Sequence, residues 1–255
     1  MEDIFLLIIL SIVGLGIGSF LNSVAIRLDE VSSLVKGRSL CPHCRHQLAW
    51  YDLIPLVSFI MLSAKCRYCR KKISWIYPLG EILTALVFIL LFLKFGLTWQ
   101  FAVYALANSF LIVILIYDLL TLAIADFLVY ITLAILIGAC FFNKEFLPVL
   151  IDRAWGILIV AAIPTILVVI SKEKWMGRGD IEVAALIGLL VGKDLAFLSV
   201  TLTFLLGGII GIILLALKKA KISDKVAFAP FLIAGGWITF FAGEKILSWY
   251  LNLIF

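Results

Sequence analysis

The chain has 255 residues, 64% of them hydrophobic and 15% charged, with a formal net charge of +5. Soluble globular domains carry roughly 45–50% apolar residues, so a soluble fold is excluded, and several apolar runs reach the ~20 residues that cross a bilayer. In a polytopic membrane protein Lys and Arg report topology, so the positive charge does not imply nucleic acid, and lipid is the expected surrounding partner.

The first predicted span is Ile4–Ile26. It is too long for a signal-peptide core and follows Glu2 and Asp3 rather than a basic segment, so it reads as a retained helix. Next comes the one sizeable polar loop, 27–77, which holds Cys41-Pro-His-Cys44 and Cys66-Arg-Tyr-Cys69. Two C-x-x-C pairs on the reducing side of a membrane read as a structural tetrahedral Zn²⁺ site, closed by four thiolates. A redox role fits less well, because cytosolic disulfides are uncommon and no thioredoxin-like pattern is present. His43 and His46 read as solvated loop residues, and Cys140 as packing within an apolar span. A loop this small has little core of its own, so metal binding supplies much of its folding energy. Between the pairs, Trp50–Phe59 (WYDLIPLVSF) is apolar with one Asp. Lying on the membrane, covering the site and packing against the cysteines all remain open for it.

The remaining predicted spans are Pro78–Leu93, Trp99–Tyr117, Phe127–Phe142, Val149–Ile170, a short Ile181–Val191, Leu195–Leu217 and Ala227–Phe241. The fold class is therefore an all-α polytopic membrane protein of about eight transmembrane helices with a small zinc-binding loop domain. The tail Ile246–Phe255 is too short to cross and is expected at the interface. Loops 27–77, 171–180 and 218–225 carry nine, three and four Lys/Arg, sixteen of the chain's 21. Eight alternating spans put all three on one face, which the positive-inside rule makes cytoplasmic. The N-terminus then lies outside, and the zinc loop, the Asp118–Asp126 turn and Asp180 lie inside.

Two acids stand where acids are costly. Asp118 follows Tyr117 in the run LIVILIYDLL, and Asp180 ends Gly177-Arg178-Gly179-Asp180 before another apolar run. A charge at the centre of a span costs about 2.5–3.5 kcal/mol on insertion scales, which marks both as functional candidates. Carboxylates about 3 Å apart cannot both ionise and share a proton, so one can activate water while the other acts as acid. Asp126 competes for the role, but eight helical residues would separate it from Asp118 by ~12 Å, which makes Asp180 the expected partner. Gly177 and Gly179 permit close backbone approach and positive φ, placing the acid at a helix start. The plainer readings make Asp180 an N-cap and Asp118 a helix-end residue. A proton-coupled carrier also uses intramembrane acids, but no internal repeat is visible and the acids lie at one face rather than the midplane. A zinc-bearing scaffold without catalysis is the third class.

These residues resemble the type IV prepilin peptidases, bifunctional membrane enzymes of the G-x-G-D aspartyl protease group. The resemblance runs through Gly14–Leu28 (GLGIGSFLNSVAIRL), Cys41–Glu81, Asp118 and Asp126, Gly177–Asp180, and Ala227–Gly236 (AFAPFLIAGG). It implies that Asp118 and Asp180 are catalytic and that Asp126 is supporting. It also implies a prepilin or pseudopilin substrate cut at the cytoplasmic face of the bacterial inner membrane, and N-methylation of the new terminus with S-adenosylmethionine. The expected domains are 1–26, the first span; 27–77, the zinc-binding and methyltransferase part; and 78–255, the peptidase. The chain departs from the family pattern at Ala64, Ala125 and Glu182, where Gly, Pro and Lys are usual.

Overall fold

The computed structural model describes residues 2–28, 39–142, 145–218 and 226–254. Among these there is no β-strand, only isolated bridges at Leu40–Gln47 and Lys65–Lys72, and the chain is an all-α membrane protein. Its helices are α1 (Glu2–Ile26), α2 (Val57–Met61), α3 (Ile76–Phe95), α4 (Trp99–Thr121), α5 (Asp126–Cys140), α6 (Phe146–Ser171), α7 (Arg178–Val191), α8 (Lys193–Ala216) and α9 (Ala229–Ile254), with a 3₁₀ turn at Trp50–Leu53. Six are long and apolar enough to cross a membrane, namely α1, α3, α4, α6, α8 and α9. The other two helices in predicted spans, α5 and α7, have 15 and 14 residues. The charge reading also rests on Lys36, Arg38, Lys144, Lys219, Lys221 and Lys225, which lie outside the described residues.

Three boundaries correct the sequence reading. Asp118 lies inside α4 rather than in a turn, because the helix runs on to Thr121. The helical path then breaks, with Leu122 at φ 56, so the rise argument does not measure the separation of Asp118 from Asp126. The tail is not a separate interfacial segment: nothing between Phe241 and Ile246 stops the helix, and α9 continues to Ile254, with Phe255 outside the described residues.

The chain forms two compact units, Met1–Leu120 and Thr121–Phe255. In the first, α1 packs closely on α3 through small residues one turn apart. A Cβ on Gly14 would stand 2.6 Å from the Ala85 Cα, and one on Gly18 would stand 2.7 Å from the Glu81 Cα. Close backbone contact is the main source of helix association where water supplies no hydrophobic force. The Asn22 amide adds a hydrogen bond to the Tyr77 carbonyl at 2.9 Å.

In the second unit α7 is central, packed against α5, α6, α8 and α9, with nine of its 14 residues buried. Gly156 of α6 and Gly188 of α7 face each other so closely that a Cβ on either would strike the other's carbonyl. The end of α7 is held by Arg153, which donates to the Leu190 carbonyl, a favourable place for a cation. We expect Gly188→Ala to lower stability by about 1–3 kcal/mol, because the obstruction is backbone and cannot rotate away. Gly208, where an added methyl group would meet nothing within 4 Å, is expected to accept Ala without loss. Thermal unfolding of the two variants in detergent checks the contrast.

Candidate active site and cysteine cluster

The two cysteine pairs fold as one local structure used twice. The Cys41 N–H donates to the His46 carbonyl (3.0 Å), Arg45 to Cys41 (2.8 Å) and Leu48 to Ser39 (2.8 Å). Twenty-five positions later, Cys66 donates to Lys71 (2.8 Å), Arg70 to Cys66 (3.0 Å) and Ile73 to Ala64 (2.7 Å). Arg45 and Arg70 both sit at positive φ (54° and 59°), the backbone reversal after each pair. The four sulfurs lie within 4.8 Å of one another, and the Cys41 and Cys69 sulfurs are 3.9 Å apart. A tetrahedral zinc with Zn–S near 2.3 Å sets its sulfurs about 3.8 Å apart, so the donor set fits a metal ion. Burial alone would raise the Cys41 thiol, but the backbone N–H groups of Cys44 and His43 and the neighbouring cysteine side chains lower it to about 7. The His46 backbone pulls Cys44 down, but desolvation and its neighbouring cysteines together push it up to about 11. Neutral thiols crowded together resist losing more than one proton until a cation compensates.

Asp52 was read from the sequence only as the one acid of an apolar stretch, and it links the second cysteine pair to the segment between the pairs. Its carboxylate accepts from the Arg67 guanidinium (2.8 Å), the Tyr68 hydroxyl (3.3 Å) and the Ala49 N–H (3.3 Å). Arg67 also lies 5.0 Å over the Tyr51 ring, and the Tyr68 ring lies tilted with its centroid 3.6 Å from that of His46, just after the first pair. Ala64 stands at φ 56, a region that costs an L-residue about 1–2 kcal/mol and glycine nothing. We expect Ala64→Gly to stabilise the loop by about 1 kcal/mol, read as slower release of bound zinc to a chelator.

Among the described residues three acids are buried: Glu81, Asp118 and Asp180. Asp118 is 4% exposed, in the last turn of α4, beside the half-buried Tyr117. Asp180 is 8% exposed, in the first turn of α7. It is not the N-cap. Gly177 holds that place, and Asp180, three residues on, accepts the Gly177 N–H at 3.0 Å. Neither glycine uses positive φ: Gly177 has φ −81°, and among the described glycines only Gly96 and Gly192 are positive. Gly179 is required by close approach instead, since a Cβ there would meet the Ile124 side chain at 2.8 Å. The start of α7 is thus pressed against the segment leading into α5, whose first residue is the exposed Asp126. Glu182 accepts the Tyr130 hydroxyl at 3.0 Å. Sequence reasoning missed Glu81, whose carboxylate accepts the Leu56 N–H at 2.9 Å. Its signal was an acid five residues into an apolar helix.

A helical membrane protein with a four-cysteine cluster in a loop and single acids buried at helix ends defines a narrow class. Residues 12–95 match the Bacterial Peptidase A24 N-terminal domain, and residues 105–212 match the Type IV leader peptidase family. The chain is 31% identical to the prepilin leader peptidase/N-methyltransferase of Aeromonas salmonicida (strain A449), over 89% of this chain and 78% of that protein. It is 29% identical to the protein of that name from Pseudomonas aeruginosa, over 94% and 92% of the two chains. It is 28% identical to the one from Bacillus subtilis (strain 168), over 97% and 99%. The chain belongs to the type IV leader peptidase family. No solved structure matches it.

Proposed function

We propose that the chain is a prepilin peptidase that removes the basic leader of type IV prepilins or pseudopilins and then N-methylates the new terminus. The observation that carries the reading is the burial of Asp118 and Asp180, two of only three buried acids among the described residues, in a member of this family. Burial of an acid costs stability, and two acids held in such places are functional candidates rather than surface decoration. In the proposed reaction the two carboxyls share a proton. One takes a proton from the attacking water, and the pair returns a proton to the leaving amine. The substrate peptide must unwind locally first, because a helical carbonyl is already engaged. Asp126, Tyr117 and the glycines at 177 and 179 support the site rather than react.

The cysteine cluster is proposed to hold structural Zn²⁺, and S-adenosylmethionine is the methyl donor this function implies. When bound, it supplies an electrophilic methyl group, and no residue is assigned to it. The same reading places the protein in the bacterial inner membrane, N-terminus outside, with the loop 27–77 and the catalytic acids on the cytoplasmic side. Residues 1–26 serve as the first span, 27–77 as the zinc-binding and methyl-transfer part, and 78–255 as the peptidase. Lipid surrounds the protein, and no nucleic acid is involved.

The test is cleavage of a prepilin in proteoliposomes, with the product read by mass spectrometry. Trimming at the leader junction, and a further mass increase of one methyl group only when S-adenosylmethionine is added, supports both activities. Trimming without the increase limits the chain to the peptidase. Proton-coupled uptake without trimming makes it a carrier.

A further inference from the structure

The stretch between the two cysteine pairs is apolar, and it does not bury itself. Trp50, Ile60 and Met61 are 77%, 72% and 79% exposed, and Val57 is 48% exposed. Packing against the cysteine cluster is therefore not their use. Large apolar side chains exposed together in one short stretch of a small loop domain mark a surface that meets something apolar.

Two contacts tie the patch to a membrane-spanning helix. Leu56, at the start of α2, donates its N–H to Glu81 of α3 at 2.9 Å. Phe59 of α2 meets Trp75 edge-on at 5.0 Å, and Trp75, 66% exposed, immediately precedes α3. The span begins at Ile76, and Glu81 lies five residues further on, about 7 Å along the axis at 1.5 Å per residue. That matches the ~5–10 Å to which amphipathic helices sink into the headgroup–acyl boundary. Leu79 and Ile82 of α3, near Glu81 in sequence, are exposed and apolar as well. Tryptophan at the start of the span is the side chain that favours this boundary. On the cysteine side of α2 the exposed cations Lys65, Arg70, Lys71 and Lys72 suit anionic headgroups.

The geometry points to the segment Trp50–Met61 being an interfacial anchor, whose apolar side inserts into the headgroup–acyl boundary of an anionic bilayer and seats the cysteine cluster against the membrane surface. The hydrogen bond to Glu81 sets its depth. The N-terminal N–H groups of so short a helix need a partner where water is scarce, and a carboxylate inside the span provides one. This inference does not depend on the peptidase reading.

The full chain is reconstituted in phosphatidylethanolamine–phosphatidylglycerol vesicles with Met61→p-benzoylphenylalanine, irradiated, and weighed intact. The expected product is heavier by one phospholipid, its mass rises again when chain-deuterated lipid is used, which identifies the adduct as lipid, and ester hydrolysis leaves one fatty acid on the protein, which locates the bond on an acyl chain. A crosslink to another copy of the chain, a crosslink to residues 121–255, or no adduct overturns the anchor. Ile60 carries the same probe if the Met61 variant fails to fold. The wild-type protein gives a probe-free reading: acyl-brominated lipid should quench a fluorescence component that Trp50→Phe removes. An unquenched Trp50 overturns the proposal equally.

Discussion

Asp118→Asn and Asp180→Asn are each expected to lower prepilin cleavage by about 10²–10⁴-fold, the usual loss when a positioned acid–base group is removed. The double variant should be little worse than either single one, because groups that act as a unit are not additive. Asparagine is the informative replacement. At position 180 it keeps an oxygen to accept the Gly177 N–H, so the start of α7 is preserved while the exchangeable proton is lost. If Asp180 served only that turn, Asn would leave cleavage intact. Stability should move the other way. A carboxyl 4% or 8% exposed carries a desolvation cost that a neutral amide of the same size largely avoids, so the inactive variants should unfold at the same temperature or higher. Asp126 is exposed at the first residue of α5, and Asp126→Asn should cost far less than either. Initial rates in proteoliposomes, with thermal unfolding of the same preparations, test the whole pattern. Full cleavage by either single variant removes that aspartate from the pair.

Where the sequence was legible, one physical term dominated. Among the described residues hydropathy located the six helices long and apolar enough to cross a membrane, and it also marked the shorter α5 and α7, while cysteine spacing located the cluster because metal geometry tolerates few alternatives. Boundaries were harder to read. The beginning of α7 at Arg178 lies in a polar tetrapeptide that hydropathy cannot mark as helical, and the reciprocal Gly177–Asp180 hydrogen bonds define it. The continuity of α9 through Gly243-Glu244-Lys245 hid for the same reason: charged residues end a hydropathy window without ending a helix. Asp52 and Glu81 were present in the segments already singled out, yet their partners are 15 to 25 residues distant, a long-range pairing that no local pattern encodes. The usual glycine at position 64 becomes intelligible only once the positive φ is seen, and the alanine here reads as a strained substitute.

Removal of zinc, or Cys66→Ser, is expected to unfold the segment 39–75 while leaving the helices in place. Among the described residues of that segment only Cys41 and Cys66 are buried, so apart from these two cysteines there is no core to hold it. Structural zinc contributes about 10–16 kcal/mol in small zinc-binding domains, more than the few hydrogen bonds of Asp52 can replace. The helices draw on a different source. The contacts of Gly14 and Gly18 with α3, and of Gly156 with Gly188, involve no residue of the segment and should survive. Chelation should therefore open Arg45, Lys65 and Arg70 to trypsin within the loop, with helical circular dichroism almost unchanged and zinc released in a one-to-one ratio. Loss of the loop would also free the Glu81 carboxylate from Leu56, leaving an acid inside a span with its backbone donor gone. That adds an energetic reason for the loop to refold when metal returns, and trypsin resistance should recover on adding Zn²⁺ to the wild type but not to Cys66→Ser. A loop that stays resistant after complete metal removal would mean that the paired turns hold themselves, and the cluster would then need a role other than structure.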